Sequence, residues 1–194
     1  MVGPIQPALF DLEPSFPDGF IYREDVISPA MEAELIERAR DLPLKPFEFH
    51  GHLGNRRVTS FGWRYDFGAR RVESAEPIPD FLMAPREVAA AIASRSPEDF
   101  QQVLITEYPP GAGIGWHKDK ASFGEVVGLS LASACTLRFR KAEGRGWIRR
   151  SVDLSPRSAY LLSGPARRAW EHSIPPVTVA RYSITFRTLA EGMG

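Results

Sequence analysis

The sequence predicts an α+β fold that is mainly β, in which N-terminal helices precede a barrel or double-sheet sandwich such as a jelly roll. Two observations support this prediction. Apolar residues recur at helical spacing in two early segments, and from Gln101 onward short apolar or alternating runs recur between Gly and Pro clusters. We therefore expect a single domain over residues 1–194, with the helices in residues 1–100 and the jelly-roll core in residues 101–190.

Two helices are predicted in the first half of the chain. Ser28 followed by Pro29 is typical of an N-cap and a first helical position, and the apolar spacing continues to Leu42, just before a proline. The second helix is predicted over residues 80–94, where Pro85 allows a late start or a kink.

The remaining predicted elements are strands. Residues 47–67 favour extended segments with a turn at Gly54-Asn55. About eight strands follow without an intervening helical period: Val103–Tyr108, Ile114–His117, Val126–Leu131, Thr136–Arg140, Trp147–Leu154, Ala159–Leu162, Arg168–Ser173 and Arg181–Leu189.

The composition excludes several classes of protein. Hydrophobic residues make up 43% of the chain and charged residues 25%, which excludes a disordered protein. A formal net charge of zero argues against a protein that coats nucleic acid by bulk electrostatics. The longest uncharged run, residues 126–137, is too short to cross a bilayer, and the N-terminus lacks a secretion signal. The single cysteine, Cys135, indicates a reducing compartment, so we expect a cytoplasmic monomer without membrane contact.

A candidate metal site lies in two segments of the second half. His117 and Asp119 come at the end of a predicted strand and are two residues apart, so they can converge on one point. His172 lies on another predicted strand. Two imidazoles and a carboxylate form the facial triad of non-haem Fe(II) oxygenases. Taken alone, His-x-Asp fits a structural hydrogen bond equally well.

The last predicted strand carries a row of polar residues. Arg181, Ser183, Thr185 and Arg187 share one face under a period of two. This pattern fits an edge strand with a solvated face, or a strand whose polar face points into the roll. In the second case two buried arginines would need anions, and a dicarboxylate ligand would satisfy both.

Together these motifs resemble the AlkB family of Fe(II)- and 2-oxoglutarate-dependent dioxygenases. The resemblance rests on His117-x-Asp119, on His172, and on Arg181-x-Ser183-x-Thr185-x-Arg187, which is similar to the family's Arg-x-Asn-x-Thr-x-Arg strand. Tyr108-Pro-Pro-Gly111 is similar to the Tyr-x-Pro-Gly segment that enters the family's roll. The family fold is a double-stranded β-helix, a jelly-roll core, and the resemblance implies that the two histidines and the aspartate bind Fe(II) and carry the catalysis.

The same resemblance implies a site for the cosubstrate 2-oxoglutarate. Arg181 would pair with the distal carboxylate, helped by Tyr108 and Ser183, while Arg187 would lie near the end that chelates the metal. Ser183 and Thr106 stand where the family commonly has Asn, and each keeps a hydroxyl that can donate and accept a hydrogen bond.

For the substrate, the resemblance implies a lid built from strands that precede the roll. Four aromatic residues alternate there with small or polar ones: Phe61, Trp63, Tyr65 and Phe67. They fit either a stripe that packs into the core or a wall that stacks nucleobases, for which Trp63 and Tyr65 are the candidates. The turn Asn55-Arg56-Arg57, with Arg57 as the candidate contact, fits a phosphate site or a pair of solubilising arginines. The basic run 138–150 fits a solvated hairpin or one that grips a nucleic-acid backbone.

The resemblance therefore implies an enzyme that uses Fe(II), 2-oxoglutarate and molecular oxygen to remove N-alkyl groups from nucleic-acid bases. The alternative is the same chemistry on a protein side chain, a lipid or a small molecule. The zero net charge favours this alternative, as does the absence of an acidic pair in Lys120-Ala121-Ser122. A third interpretation is a roll that binds metal or a carboxylate without turnover.

Overall fold

The computed structural model describes residues 16–49, 52–66, 68–69 and 71–190. The helices within these ranges are α1 (Pro29–Asp41), α2 (Met83–Ala93) and α3 (Gly164–Arg168), with single 3-10 turns at Asp80–Leu82 and Pro97–Asp99. The strands are β1 (Phe20–Arg23), β2 (Lys45–Phe49), β3 (His52–Phe61), β4 (Trp63–Asp66), β5 (Arg71–Ser74), β6 (Gln102–Tyr108), β7 (Ile114–His117), β8 (Phe123–Leu131), β9 (Cys135–Glu143), β10 (Gly146–Leu154), β11 (Ala159–Leu162), β12 (Glu171–Ile174) and β13 (Arg181–Leu189).

The strands form a large sheet, a smaller sheet and a separate hairpin. The large sheet has seven strands in the order β1-β11-β8-β13-β6-β3-β2, and the smaller sheet has four in the order β10-β9-β12-β7. Strands β4 and β5 pair only with each other. From β6 to β13 the chain alternates between the two sheets except at the β9–β10 hairpin, as in a double-stranded β-helix, so the predicted jelly-roll core is confirmed.

Apolar side chains form one core on each face of the large sheet. On one face, α1 and α2 pack through Leu35 and Ala89 against strand residues that include Ile184. On the other face, the smaller sheet packs through Phe139 against Leu162. Strand β13 lies between β8 and β6 in the large sheet and is therefore buried along most of its length. This position decides how its arginines are used, because both faces of the large sheet are covered there, one by the helices and the other by the smaller sheet.

The first predicted helix is confirmed at both ends. The Ser28 hydroxyl accepts a hydrogen bond from the Met31 amide at 3.1 Å, and Pro29 takes the first helical position, where its missing N–H costs nothing. The second helix starts later than its apolar pattern predicts. A 3-10 turn occupies Asp80–Leu82, α2 follows, and Pro85 lies in its first turn. None of the described helices is both long enough and apolar enough to cross a bilayer.

Two of the predicted elements are wrong. Gly54 and Asn55 do not form a turn, because β3 runs through them; the hairpin reverses before residue 52. The strand predicted over Arg168–Ser173 is in fact the end of α3, a short link and then β12. A five-residue helix is too short to produce a recognisable 3.6-residue period, which is why the sequence pattern missed α3.

Candidate metal centre and adjoining cavity

Neighbouring strands of the smaller sheet bring the predicted metal ligands together. His117 ends β7, and it lies directly opposite His172 on β12 in the antiparallel register. Asp119 follows β7 by two residues, and its carboxylate Oδ2 lies 3.7 Å from Nε2 of His172. One ligand atom from each of the three side chains lies within 4.8 Å of the others. The sequence therefore predicted correctly that these three side chains converge.

The three side chains are in the protonation states that bind a metal cation. His117 Nδ1 lies 3.0 Å from the Gly115 carbonyl oxygen, which can only accept, so Nδ1 carries the proton and Nε2 keeps its lone pair. Burial lowers the pKa of His117 and lowers that of His172 to about 3, so both rings are neutral at pH 7. Burial alone would raise the pKa of Asp119, but nearby positive charge, above all that of Arg187, outweighs it and holds that pKa below its usual range.

This ligand set suits Fe(II). Two imidazoles and one carboxylate on one side of an ion leave its other positions open, which a structural zinc site would not. Among the described residues, His117, Asp119 and His172 are the group whose donor atoms meet in this way.

Arg181 is buried on β13 and has an incomplete set of hydrogen-bond partners. Its side chain is 1% exposed, it donates from Nε and Nη2 to the Ser130 hydroxyl at 3.3 and 3.1 Å, and its guanidinium lies 4.9 Å from the ring centre of Tyr108. Its Nη1 has no hydrogen-bond partner among the described residues, and none of their carboxylates pairs with it. A buried, unpaired guanidinium is costly, so this position fits a carboxylate ligand.

Arg187 connects the same strand to the metal ligands. Its Nη1 donates to Gln102 Oε1 at 2.9 Å and its Nη2 donates to Asp119 Oδ1 at 3.2 Å, while Nε is buried without a partner among the described residues. Together with Arg181 this gives two buried cationic groups on one strand, each with a free N–H donor. A dicarboxylate such as 2-oxoglutarate would supply both the negative charge and the acceptor oxygens that these two guanidiniums need.

The two hydroxyl residues that replace the commoner Asn lie side by side. Ser183 pairs with Thr106 across β13 and β6, and both are buried. Two residues further along the same pair of strands, Arg181 lies directly opposite Tyr108. The Tyr160 ring reaches the same interior by packing directly on Gly128, where any Cβ would overlap it. These positions form the inner wall of the roll behind the metal ligands.

A large open cavity of about 1120 Å³ adjoins the metal ligands. His117, Asp119 and Arg187 line its floor, and residues from β2, β3 and β4 line its opposite side. Its walls carry more cationic than anionic side chains: Lys45, Arg56, Arg64, Lys118, Lys120 and Arg187 against Glu48, Glu76 and Asp119. This excess of positive charge is local, since the formal net charge of the whole chain is zero.

The predicted aromatic wall is only partly present. Gly62, with φ +73, separates β3 from β4, so the aromatic residues on either side do not share one strand face. Phe61 belongs to the helix-side core, and Phe67 lies outside the described residues. Tyr65 lines the cavity, whereas Trp63 is half-buried and is absent from the lining. The prediction of one continuous stripe is therefore wrong.

The predicted phosphate contact also lies on the wrong side of its strand. Arg57 pairs with Glu107, away from the cavity, and its side chain is 49% exposed. The residue before it, Arg56, lines the cavity instead. Because successive side chains of a strand alternate between faces, a one-residue error in position exchanges the two arginines.

The sequence analysis did not identify Arg167, on α3, as a residue of the site. Its side chain is buried and donates to four backbone carbonyls, those of Gly124 at 2.8 Å, Asp119 at 3.3 Å, Lys120 at 2.6 Å and Phe123 at 2.7 Å. It therefore ties the segment that follows the His-x-Asp motif to the helix that precedes His172. No residue pattern pointed to this contact, since α3 itself was not recognised.

The basic run 138–150 forms the β9–β10 hairpin and is partly neutralised by its surroundings. Arg140 pairs with Glu171 at 2.5 Å, and its guanidinium lies 4.6 Å from the Trp116 ring centre and 4.2 Å from that of Trp147. Arg138 donates to the Ser173 hydroxyl at 3.1 Å. The run therefore forms a hairpin, as the sequence predicted, and a contact between it and a nucleic-acid backbone stays a prediction.

Comparisons with known proteins agree with this geometry. The model of the 2OG-Fe(II) oxygenase superfamily matches residues 20–187. The chain is 31% identical over 147 residues to the "Alkylated DNA repair protein ALKBH8 homolog" of Arabidopsis thaliana, covering 63% of this chain and 42% of that protein. It is 29% identical over 170 residues to the "tRNA (carboxymethyluridine(34)-5-O)-methyltransferase ALKBH8" of Mus musculus, covering 84% of this chain and 25% of that protein. The chain thus spans less than half the length of these relatives.

Solved structures share the fold. "The structure of OsALKBH1" superposes with a TM-score of 0.66 at 17% identity, covering 88% of this chain and 96% of that one. A prolyl-4-hydroxylase from Pseudomonas putida superposes with a TM-score of 0.61 at 18% identity, covering 90% of this chain and 94% of that one. At these identities the likeness concerns the fold alone.

Proposed function

Because the chain belongs to the 2OG-Fe(II) oxygenase superfamily and is of the AlkB type, we propose that it removes N-alkyl groups from nucleic-acid bases by oxidation. It is an oxidoreductase whose cofactor is Fe(II) and whose cosubstrate is 2-oxoglutarate. The observation that carries the proposal is the cavity of about 1120 Å³ beside the metal ligands, with its excess of cationic side chains.

The residues of this chain hold the reactants in place. When bound, Fe(II) with 2-oxoglutarate and molecular oxygen supplies the oxidation of a C–H bond, with succinate and CO₂ as coproducts. His117, Asp119 and His172 would hold the iron through two neutral imidazoles and one carboxylate. Arg187 would keep that carboxylate ionised and oriented through its hydrogen bond to Oδ1.

The cosubstrate would lie along the buried polar face of β13. Arg181 would bind its distal carboxylate through the unpartnered Nη1, with Tyr108 packed on the guanidinium and Ser183 one position further along the same face. Arg187 would approach the other end of the diacid through Nε. The two guanidiniums would thereby fix the direction in which the diacid is bound.

The cavity would take the substrate. A nucleobase has to leave its stack to reach a buried centre, so an enzyme of this kind needs an open, cationic approach and an aromatic surface. Tyr65 lines the cavity and can stack on a base, and Lys120 lies 4.9 Å from its ring centre. Hydroxylation of an N-alkyl carbon gives a hemiaminal, which breaks its C–N bond to release an aldehyde and returns a proton to the base nitrogen.

The names of the relatives support a nucleic-acid substrate. One is named for alkylated DNA repair and another for tRNA. The same chemistry on a protein side chain, a lipid or a small molecule is the alternative that an assay has to separate from it.

A coupled assay tests the proposal. The protein, loaded with Fe(II), is incubated with 2-oxoglutarate and single-stranded DNA or RNA oligonucleotides that carry one N-methylated base. We expect formaldehyde and succinate in equal amounts from at least one oligonucleotide, and neither product from the His172→Ala variant. Succinate formation that no methylated oligonucleotide stimulates, but that a peptide or a small molecule does stimulate, would reject a nucleic-acid substrate while leaving the oxygenase chemistry intact.

A further inference from the structure

We propose that Arg56 forms, with Phe47 and Tyr108, a subsite in the cavity that binds an oxyanion of the substrate. The oxyanion is either a backbone phosphate or a carboxylate carried by the base. This inference rests on the proposed function, and it assigns a substrate contact that neither the motifs nor the metal ligands contain.

Strand geometry turns Arg56 into the cavity. Strand β3 pairs with β6, and Arg57 lies opposite Glu107 in that register. The Arg57 side chain forms an ion pair with Glu107 on one face, so the preceding residue points to the other face. Arg56 accordingly lines the cavity together with His117, Asp119 and Arg187.

The guanidinium of Arg56 is supported in a way that leaves donors available. Its Cζ atom lies 3.8 Å from the ring centre of Phe47, so the planar group rests on an aromatic face. The neighbouring Tyr108 hydroxyl favours the charged form of the guanidinium by raising its pKa. A guanidinium has five N–H donors in its plane, so a group that is stacked on a ring and has one hydroxyl neighbour keeps donors at its edge for an oxyanion.

The charge of Arg56 has no counter-ion within the described part of the chain. None of the carboxylates there forms an ion pair with it. Asp119 attracts it, but that carboxylate already pairs with Arg187 and belongs to the metal site, and Arg187 itself repels Arg56. Burial lowers the pKa of Arg56, yet an arginine stays protonated at neutral pH. A partly buried cation of this kind is stabilised by a bound anion.

The substrate is a better source of this anion than the cosubstrate. Arg181 and Arg187 already offer one unpartnered donor each to the two carboxylates of 2-oxoglutarate. Arg56 is a third cation, on a strand outside the β8–β13–β6 centre of the large sheet and facing the open cavity. A third anionic group is therefore expected on the molecule that enters through that cavity.

The test measures binding without turnover. Wild type, Arg56→Met and Arg56→Lys are loaded with Mn(II) and N-oxalylglycine, a non-reactive analogue of 2-oxoglutarate, and Arg57→Met serves as the matched control outside the cavity. Fluorescence anisotropy follows a labelled single-stranded oligonucleotide. Uridine, uridine 5′-monophosphate and the carboxylate-bearing nucleoside orotidine are compared as competitors.

For a backbone phosphate, we expect Arg56→Met to lose about tenfold or more in affinity for the oligonucleotide and to reduce its salt dependence by about one charge; for a base carboxylate, we expect the tenfold loss for orotidine instead. Arg57→Met should change the affinity by less than about twofold, and Arg56→Lys should lie between Arg56→Met and wild type. Loss of the preference for the monophosphate over uridine would identify the anion as phosphate. Loss of the preference for orotidine would identify it as carboxylate.

Several results would overturn the inference. One is Arg56→Met binding every anionic ligand as wild type does; another is a tenfold loss in 2-oxoglutarate affinity, which would assign Arg56 to the cosubstrate. Wild type that binds no anionic nucleoside and no oligonucleotide would overturn both the subsite and the proposed function. Wild type that binds no oligonucleotide, but binds an anionic nucleoside through Arg56, would reject the nucleic-acid function and support the subsite.

Discussion

Arg187 and Asp119 form an ion pair at the centre of the roll, with Nη2 of the arginine 3.2 Å from Oδ1 of the carboxylate. The pair joins a strand of the large sheet to the segment that follows the edge strand of the smaller sheet. A residue that the sequence assigned to the cosubstrate is therefore also the partner of a metal ligand. Under the proposed function, this contact would couple the iron site to the 2-oxoglutarate site.

The first prediction concerns this coupling. Arg187→Met should weaken Fe(II) binding and 2-oxoglutarate binding together, each by about tenfold or more, because the carboxylate loses its partner and the diacid loses a donor. Calorimetric titration of the anaerobic protein with Fe(II), and then with 2-oxoglutarate, measures both affinities. An unchanged affinity for Fe(II) would show that the ion pair does not support the metal ligand.

Arg181→Met should behave differently. The Arg181 guanidinium donates to Ser130 and packs on Tyr108, and it forms no ion pair with a carboxylate of the described residues. Fe(II) affinity should therefore stay within about twofold of wild type, while the 2-oxoglutarate requirement rises by about tenfold to a hundredfold. Without cosubstrate, the variant should be as stable as wild type or more stable, because a buried guanidinium with an unpartnered Nη1 is removed. Thermal unfolding with and without 2-oxoglutarate measures this. Stabilisation of the variant by 2-oxoglutarate equal to that of wild type would contradict the role of Arg181.

The sequence predicted the metal ligands and β13 well because both depend on short-range rules. His117 and Asp119 are two residues apart at a strand end, and the alternation along β13 places Arg181 and Arg187 on one face whatever surrounds the strand. That this face points into the roll, however, depends on β13 lying between β8 and β6, which only the fold determines.

The substrate side could not be predicted in the same way. Choosing Arg57 instead of Arg56 is an error of one residue, and it arose because Gly54-Asn55 has the composition of a turn although β3 continues through it. The contacts of Arg167 join residues more than 40 positions apart, and Arg167 itself lies on a helix of only five residues. Neither the long-range contacts nor so short a helix produces a periodic pattern in the sequence. Long-range hydrogen bonds to backbone carbonyls leave no trace in side-chain composition.

Arg167 is expected to act as a positioning residue for the metal site. Arg167→Met should leave up to four carbonyls of the segment after His117 without their donor and lower the free energy of unfolding by about 2–4 kcal/mol. Fe(II) affinity should fall by about tenfold, since the Asp119 backbone is one of the anchored groups. Amide hydrogen exchange of residues 120–124 should speed up.

Two further variants separate positioning from general stability. Arg167→Lys keeps a charge that can reach part of the carbonyl set, so it should recover part of the metal affinity. Arg168→Met changes the exposed neighbour and should alter neither metal affinity nor exchange. If the d–d absorption of bound Co(II) is identical in wild type and Arg167→Met, and the exchange of residues 120–124 is also unchanged in Arg167→Met, Arg167 does not position the ligand.

The buried histidines predict how the metal-free protein responds to acid. The pKa of His172 is lowered to about 3 in the folded chain, whereas an unfolded chain has the ordinary value near 6.5. Below pH 6.5 the unfolded state therefore binds a proton at His172 that the folded state does not bind. The free energy of unfolding falls as a result while the pH drops towards 3. Between pH 6.5 and pH 5 the loss from this one group reaches about 2 kcal/mol. Asp119 adds little in that window, because its carboxyl is ionised there in both states: the unfolded chain has a pKa of about 3.9 and burial beside Arg187 leaves the folded pKa lower.

Denaturant unfolding in the presence of EDTA at pH 7, 6 and 5 measures this effect, with His172→Gln as the matched variant. Wild type should lose more stability than His172→Gln over this range, and the difference should grow as the pH falls, since glutamine has no proton to bind. Burial also lowers the pKa of His117, so the variant should keep part of the acid sensitivity. Equal losses of stability in the two proteins would mean that His172 is solvated. The metal centre would then lack the neutral, buried imidazole that we assign to it.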